Sequence, residues 1–153
     1  MKFTYFLLAV SNLLVTAITA TVGLSVEGTV RFEKHFLLGV LTGLFTCLLH
    51  TVGFMYFAVQ GKIMQQAAVG GLSADLHRET IELKARALHV SLTGIGAILV
   101  VIALGAASGL YLAPEFHLVA GFANLFLQGA LAVRQYGLID RYYALFARAF
   151  GER

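Results

Sequence analysis

Histidine is the residue type in this chain with the widest scope for chemistry. His35 and His50 lie fifteen residues apart in one apolar stretch, while His89 and His117 lie in two others. Imidazole nitrogens are common axial ligands of haem iron, and two facing helices can present one each to the same haem. All four residues are therefore candidate haem or metal ligands. His35 and His117 form the better pair, because each lies beside a charged residue expected at the same membrane surface.

The second pairing, of His50 with His89, fits a haem less well. His89 follows Arg86 by only three residues, whereas His50 lies roughly 18 Å along its helix from Lys62. Two axial ligands of one haem must lie at one level. The plainer interpretation of His35, His89 and His117 is placement at the membrane interface, where the polar tip of the ring stays hydrated.

Polar side chains also recur near the middle of the apolar stretches. Asn12 and Asn124 each lie roughly 15 Å from the nearest charge expected on the inner side, a depth close to that of His50, and Gln128 follows Asn124 by one helical turn. Buried polar groups at this depth are costly unless they are paired, and an ionisable one marks a candidate functional site. These four residues predict an intramembrane polar network. It either fixes the register of packed helices or forms a proton relay or ligand site centred on His50.

Small and polar residues recur every three or four positions in each apolar stretch, which predicts four inward-facing helix stripes. The stripes are Asn12, Thr16, Thr19 and Gly23; His35, Gly39, Gly43, Thr46, His50 and Gly53; His89, Thr93 and Gly96; and His117, Gly121, Asn124 and Gln128. Gly39 with Gly43 and Gly105 with Gly109 form GxxxG pairs that permit close helix packing. The second pair lies off its stripe, which favours contact with a helix outside the core.

The elements that must position these residues are four apolar stretches, at residues 3–24, 36–59, 88–112 and 116–133. Each is close to the roughly 20 residues that a helix needs to cross a bilayer. Charged residues make up only 12% of the chain, against about 25% in soluble domains. The sequence therefore predicts one all-α domain over residues 1–153, an integral membrane, antiparallel four-helix bundle. A cleaved signal peptide is the alternative for the first stretch, but its apolar run is long and no clear cleavage site follows.

Positive charge predicts the orientation. With the N-terminus inside, nine of the Lys and Arg residues lie on the inner side and only Arg31 and Lys34 on the outer side. This bias predicts that both termini are cytoplasmic, in a bacterial inner membrane. The segment 60–87 then forms a cytoplasmic extension of the second and third helices, with Ser73 as an N-cap. Because the charges lie at the ends of apolar stretches, we exclude nucleic acid as a partner.

The C-terminal segment 138–150 is amphipathic, with aromatic residues on one side. Arg134, Arg141 and Arg148 recur every seven residues on another side. This pattern predicts a helix lying on the inner leaflet, with the arginines directed to lipid headgroups. The alternative is a continuation of the fourth helix into the cytoplasm.

Function is less constrained than fold. The sequence contains no GxxxxGK[ST], HExxH, GxSxG or CxxC motif, and Cys47 is its single cysteine, which favours a non-enzymatic protein. We expect a non-catalytic structural or accessory subunit of a membrane complex or homo-oligomer, with membrane lipids and other membrane subunits, or itself, as partners. The alternatives are a b-type haem or quinone electron carrier that uses the intramembrane histidines, and a proton or ion pathway through the polar interior.

Overall fold

The chain folds into four α-helices. The computed structural model describes residues 1–26, 29–69, 74–108 and 111–151. The helices are α1 (Lys2–Gly23), α2 (Thr29–Val69), α3 (Ala74–Ala107) and α4 (Pro114–Phe150). Within these described ranges the only β-type pairing is an isolated bridge between Ser108 and Leu112. The prediction of an all-α protein is confirmed.

The helices follow from long apolar runs with few interruptions. The single proline, Pro114, lies at the start of α4, where its missing N–H would have had no helical partner. All four helices are long and apolar enough to cross a membrane, which suggests a membrane-spanning protein. Three helices are longer than the predicted apolar stretches: α2 has 41 residues, α3 has 34 and α4 has 37. The reason is that the helical pattern continues into the polar segments between and beyond those stretches. The predicted N-cap Ser73 lies outside the described residues.

The helices pack in a ring. Both α1 and α3 pack against α2 and α4, so α2 lies across the bundle axis from α4, and α1 lies across it from α3. At one end the core is apolar and aromatic and includes Phe57, Met64, Tyr142 and Leu145. Further along the axis the buried residues include a set of polar ones: Asn12, Thr16, Thr42, Thr46, His50, Asn124 and Gln128.

The segment predicted as a separate interfacial helix, 138–150, is instead the last part of α4, as in the alternative interpretation. Helix α4 runs unbroken to Phe150, and Leu138, Ile139, Tyr142 and Leu145 are buried in the common core. The Tyr142 ring packs edge-on against Phe57 of α2, with 5.5 Å between ring centroids. The amphipathic pattern was real, but its apolar face contacts the other helices rather than lying free.

Candidate functional site: a histidine pair and a buried polar axis

Two histidines face each other across the bundle axis near one end. His35 is on α2 and His117 on α4, with their ring centroids 5.9 Å apart and their planes inclined by 73°. Both rings are partly buried. This is the pair that the sequence favoured as haem ligands, and the fold brings it together because α2 and α4 are diagonal partners.

Glycines from the other two helices lie at the same level. A Cβ atom added to Gly23 of α1 would stand 2.8 Å from Cε1 of His35, and one added to Gly105 of α3 would stand 2.8 Å from Cε1 of His117. Side chains larger than hydrogen would therefore displace both rings. We call these four residues, one from each helix, the histidine layer.

Each imidazole of the histidine layer has unused ligating capacity. The Nδ1 atoms of His35 and His117 are buried and have no hydrogen-bond partner among the described residues. Across the same described ranges, no group of three or more His, Cys, Asp or Glu side chains could hold a metal ion. A bare zinc ion usually takes three or four protein ligands. Haem iron already has four porphyrin nitrogens, so two histidines are enough to complete its coordination.

A second polar set, the central network, lies deeper along the axis around His50. Nε2 of His50 lies 2.8 Å from Oε1 of Gln128. The amide nitrogen of Gln128 donates to the carbonyl of Gly94, at 2.9 Å, and to Oδ1 of Asn124, at 3.1 Å. Because this nitrogen donates twice, Oε1 is the acceptor and His50 donates from Nε2. The neutral ring therefore keeps an acceptor at Nδ1, which is buried and has no hydrogen-bond partner among the described residues.

The central network reaches all four helices. Thr46 of α2 donates to Oδ1 of Asn12 on α1 at 2.9 Å, and Ser91 of α3 donates to the backbone carbonyl of His50 at 3.0 Å. Towards the histidine layer, the hydroxyls of Thr19 and Thr42 lie 2.7 Å apart. Asn12, His50, Asn124 and Gln128 all have buried side chains, and the last three form one hydrogen-bonded chain.

A third polar set was not found from the sequence. Tyr5 of α1 and Gln135 of α4 both pack on Gly53 of α2, where an added Cβ would stand 3.2 Å from Cε2 of Tyr5 and 3.1 Å from Nε2 of Gln135. Both residues are fully buried. We call these three residues the tyrosine layer. Gln135 follows Gln128 by seven residues, two turns along the same face, and that spacing was the signal available in the sequence.

Helix α3 turns a different face inward from the one predicted. His89, Thr93 and Gly96 are exposed, and the buried positions are Ala87, Val90, Ser91, Gly94 and Ile98. Nδ1 of His89 lies 2.7 Å from its own helix's Ala85 carbonyl. The structure therefore does not pair His89 with His50. Small residues of α3, rather than its polar ones, give the close approach to neighbouring helices.

The predicted packing glycines differ in their surroundings. An added Cβ at Gly43 would stand 2.7 Å from Cδ1 of Ile102 on α3, whereas Gly39 has no neighbour within 4 Å of that position. Gly105 faces His117 inside the bundle, rather than a helix outside the core, because the inward face of α3 includes it. Gly109 lies outside the described residues.

The three arginines predicted to face lipid headgroups are exposed. Arg148 forms an ion pair of 2.6 Å with Glu79 of α3, so this arginine also joins the ends of α4 and α3. The contact of Arg134 and Arg141 with headgroups stays a prediction.

The fold and its buried residues define the class: a small all-α protein of four apolar helices around a polar axis that contains three histidines. No protein-family model matches the chain, and neither a curated protein nor a solved structure matches it significantly. The histidine layer and the central network are the candidate functional sites of the chain.

Proposed function

We propose that this protein is a membrane-embedded b-type haem protein that carries electrons, with His35 and His117 as the axial ligands. The observation that supports it is the 5.9 Å between the two ring centroids across the bundle axis. Two imidazoles bound on opposite sides of one metal, each with a metal–nitrogen bond of about 2 Å, have centroids roughly 6 Å apart. The pair thus already has the separation that a shared iron requires.

The surroundings of the pair set a condition on porphyrin binding. The His35 and His117 rings already fill the space beside Gly23 and Gly105, so α1 and α3 would have to move apart to admit the macrocycle. When bound, haem supplies one-electron redox chemistry. The two histidines would hold the iron, and the glycines would keep the imidazoles in place.

The proposed topology follows the distribution of positive charge. The helices form an antiparallel bundle in a bacterial inner membrane, with both termini in the cytoplasm and the polar ends of α2 and α3 extending there. Arg134 and Arg141 then lie near inner-leaflet headgroups. The histidine layer lies near the outer surface, so electrons would exchange with a partner on that side.

Absorption spectroscopy tests the haem proposal. The full chain, expressed with added haem precursor and purified in mild detergent, should show a Soret band and sharpened bands after reduction, with one haem per chain. His35→Ala and His117→Ala should each lose these bands, while His89→Ala should keep them, because His89 is exposed on the outer face of α3. A folded, haem-free wild-type protein would contradict the proposal, and so would equal losses in all three variants.

A second candidate is the accessory or self-associating subunit expected from the sequence. It is favoured by a shallow apolar groove between α1 and α4, where Ala17, Gly129 and Ala130 are among the lining residues. Small residues at such a surface allow another membrane helix to approach closely. The mass of the purified particle would separate the cases: a dimer or larger complex that Gly129→Leu converts to a monomer supports this role, and a monomeric wild type contradicts self-association.

A further inference from the structure

His50 has an unused proton acceptor in the middle of the bundle. Its Nε2 donates to Gln128, so the Nδ1 lone pair of the neutral ring faces the interior without a hydrogen-bond partner among the described residues. The residue is fully buried. A buried acceptor without a partner is costly, and internal water is the usual means by which proteins satisfy such groups.

The tyrosine layer has more unsatisfied groups than the central network. The Tyr5 hydroxyl and both polar atoms of the Gln135 amide are buried without hydrogen-bond partners in the described part of the chain. Within the central network, the Asn12 amide nitrogen also has no hydrogen-bond partner in the described part of the chain. Unsatisfied donors and acceptors on α1, α2 and α4 thus follow one another along the axis, and internal water is what usually satisfies such groups.

Residues of mixed size separate these groups. Between Tyr5 and Asn12 the buried α1 residue is Ala9, and between Gln128 and Gln135 the buried α4 residues are Leu131 and Ala132. The methyl side chains of Ala9 and Ala132 close less of the axis than larger ones would. Bridging waters therefore have fewer apolar atoms to displace on the sides of the axis that these two alanines line.

A solvent-exposed charged pair lies at the N-terminal end of α1. Lys2 pairs with Asp140 of α4, and their side chains are 38% and 61% exposed. Lys2 comes three residues before Tyr5 and Asp140 five residues after Gln135. The charged and titratable groups at this end include Lys2 and Tyr5 from α1, together with Asp140, Tyr143 and the buried Tyr142 from α4; the Tyr143 ring centroid lies 5.0 Å from Nζ of Lys2. Helix α3 contributes Gly94 and Ser91 beside His50.

We propose that a file of internal water molecules runs from the Lys2–Asp140 end, past Tyr5 and Gln135, to Nδ1 of His50, and that His50 exchanges protons with solvent by this route. A proton taken from solvent passes along the waters by successive O–H bond formation and breakage. It forms an N–H bond at Nδ1 and gives an imidazolium whose other proton stays on Nε2 and continues to donate to Oε1 of Gln128. The return of that proton by the same waters restores the neutral ring. This inference does not depend on the proposed haem.

Nuclear magnetic resonance of the full chain in lipid nanodiscs tests the route. With ¹⁵N-labelled histidine, the His50 signals are assigned by their loss in His50→Gln. The wild-type ring should receive magnetisation from water, and its N–H proton should exchange with solvent. Gln135→Leu should slow this exchange by about tenfold, as the loss of one hydrogen-bonded step predicts. The matched control Gln65→Leu changes an exposed glutamine of α2 and should leave the exchange unchanged.

Tyr5→Phe provides a second variant that removes a hydroxyl and leaves the ring packed on Gly53, in case Gln135→Leu perturbs folding. It should also slow exchange at His50, whereas Tyr136→Phe, at a tyrosine that is 39% exposed, should not. A His50 ring without contact to water would overturn the proposal. Wild-type exchange rates in a folded Tyr5→Phe protein would overturn it as well. Neither result concerns haem binding, which the Soret band measures. The water-file proposal and the haem proposal can therefore fail independently.

Discussion

Nε2 of His50 lies 2.8 Å from Oε1 of Gln128 and joins α2 to α4 across the axis of the bundle. Gln128 in turn donates to the backbone of α3 at Gly94 and to Asn124 one turn earlier on its own helix. A single amide thus makes three hydrogen bonds and connects three helices. In an apolar environment such groups fix the register of helices, because a shifted helix would leave them unpaired.

Replacement of Gln128 should therefore destabilise the fold. Gln128→Leu removes all three hydrogen bonds and leaves the Nε2 proton of His50 buried without an acceptor. We expect a loss of about 2 kcal/mol in the free energy of unfolding, since interhelical hydrogen bonds in membranes contribute about 0.6 kcal/mol each and the orphaned donor adds a penalty. Unfolding by sodium dodecyl sulfate, followed by circular dichroism, measures the change. An unchanged midpoint would show that Gln128 does not support the register.

Gly94 and Gly96 provide a matched pair on α3. A Cβ at Gly94 would overlap the imidazole of His50, while one at Gly96 would have no neighbour within 4 Å. Gly94→Ala should therefore destabilise the protein by roughly 1–3 kcal/mol through overpacking. Gly96→Ala should be neutral or stabilise it by up to about 1 kcal/mol through helix propensity. Thermal unfolding of the two variants in one detergent makes the comparison, and equal effects would contradict the close contact of His50 with Gly94.

The helices and much of the polar axis could be predicted from the sequence. Apolar length and the period of 3.6 residues determine the helices directly, and Asn124 and Gln128 lie on one face by spacing alone. The diagonal meeting of His35 with His117 was also accessible, because both lie near the same end of their stretches. Their separation was not, since it depends on how closely α1 and α3 hold the other two helices.

The inward face of α3 shows why the rest could not be predicted. His89, Thr93 and Gly96 form a regular polar stripe, yet α3 buries Gly94 and Ser91 instead. Either face satisfies the helical period, and the choice depends on which residues let His50 approach the α3 backbone. Similarly, an amphipathic pattern at residues 138–150 reports an apolar face but not whether lipid or protein covers it.

The C-terminal part of α4 should contribute to stability as a packed helix does. Leu145 is fully buried, whereas Phe126 on the same helix is 75% exposed. We expect Leu145→Ala to lower the free energy of unfolding by about 2–4 kcal/mol, the range for a large-to-small change in a core, and Phe126→Ala to change it little. Denaturant titration in detergent micelles distinguishes the two. A small effect at Leu145 would indicate that the segment lies apart from the bundle after all.

Glycine at position 105 should control haem retention if His117 is an axial ligand. The Cβ of Gly105→Ala would stand 2.8 Å from Cε1 of His117, so the ring must move away from its position opposite His35. A strain of roughly 1–3 kcal/mol in a packed site corresponds to a loss of at least about fivefold in affinity. Gly105→Ala should accordingly weaken haem binding by at least that factor, as measured by the Soret absorbance at increasing concentrations of added haem.

Gly121→Ala, one turn beyond His117 and with nothing within 4 Å of its added Cβ, should bind haem as the wild type does. Equal affinities for Gly105→Ala and Gly121→Ala would mean that the His117 ring is free to adapt, and the argument for a preformed ligand pair would fail.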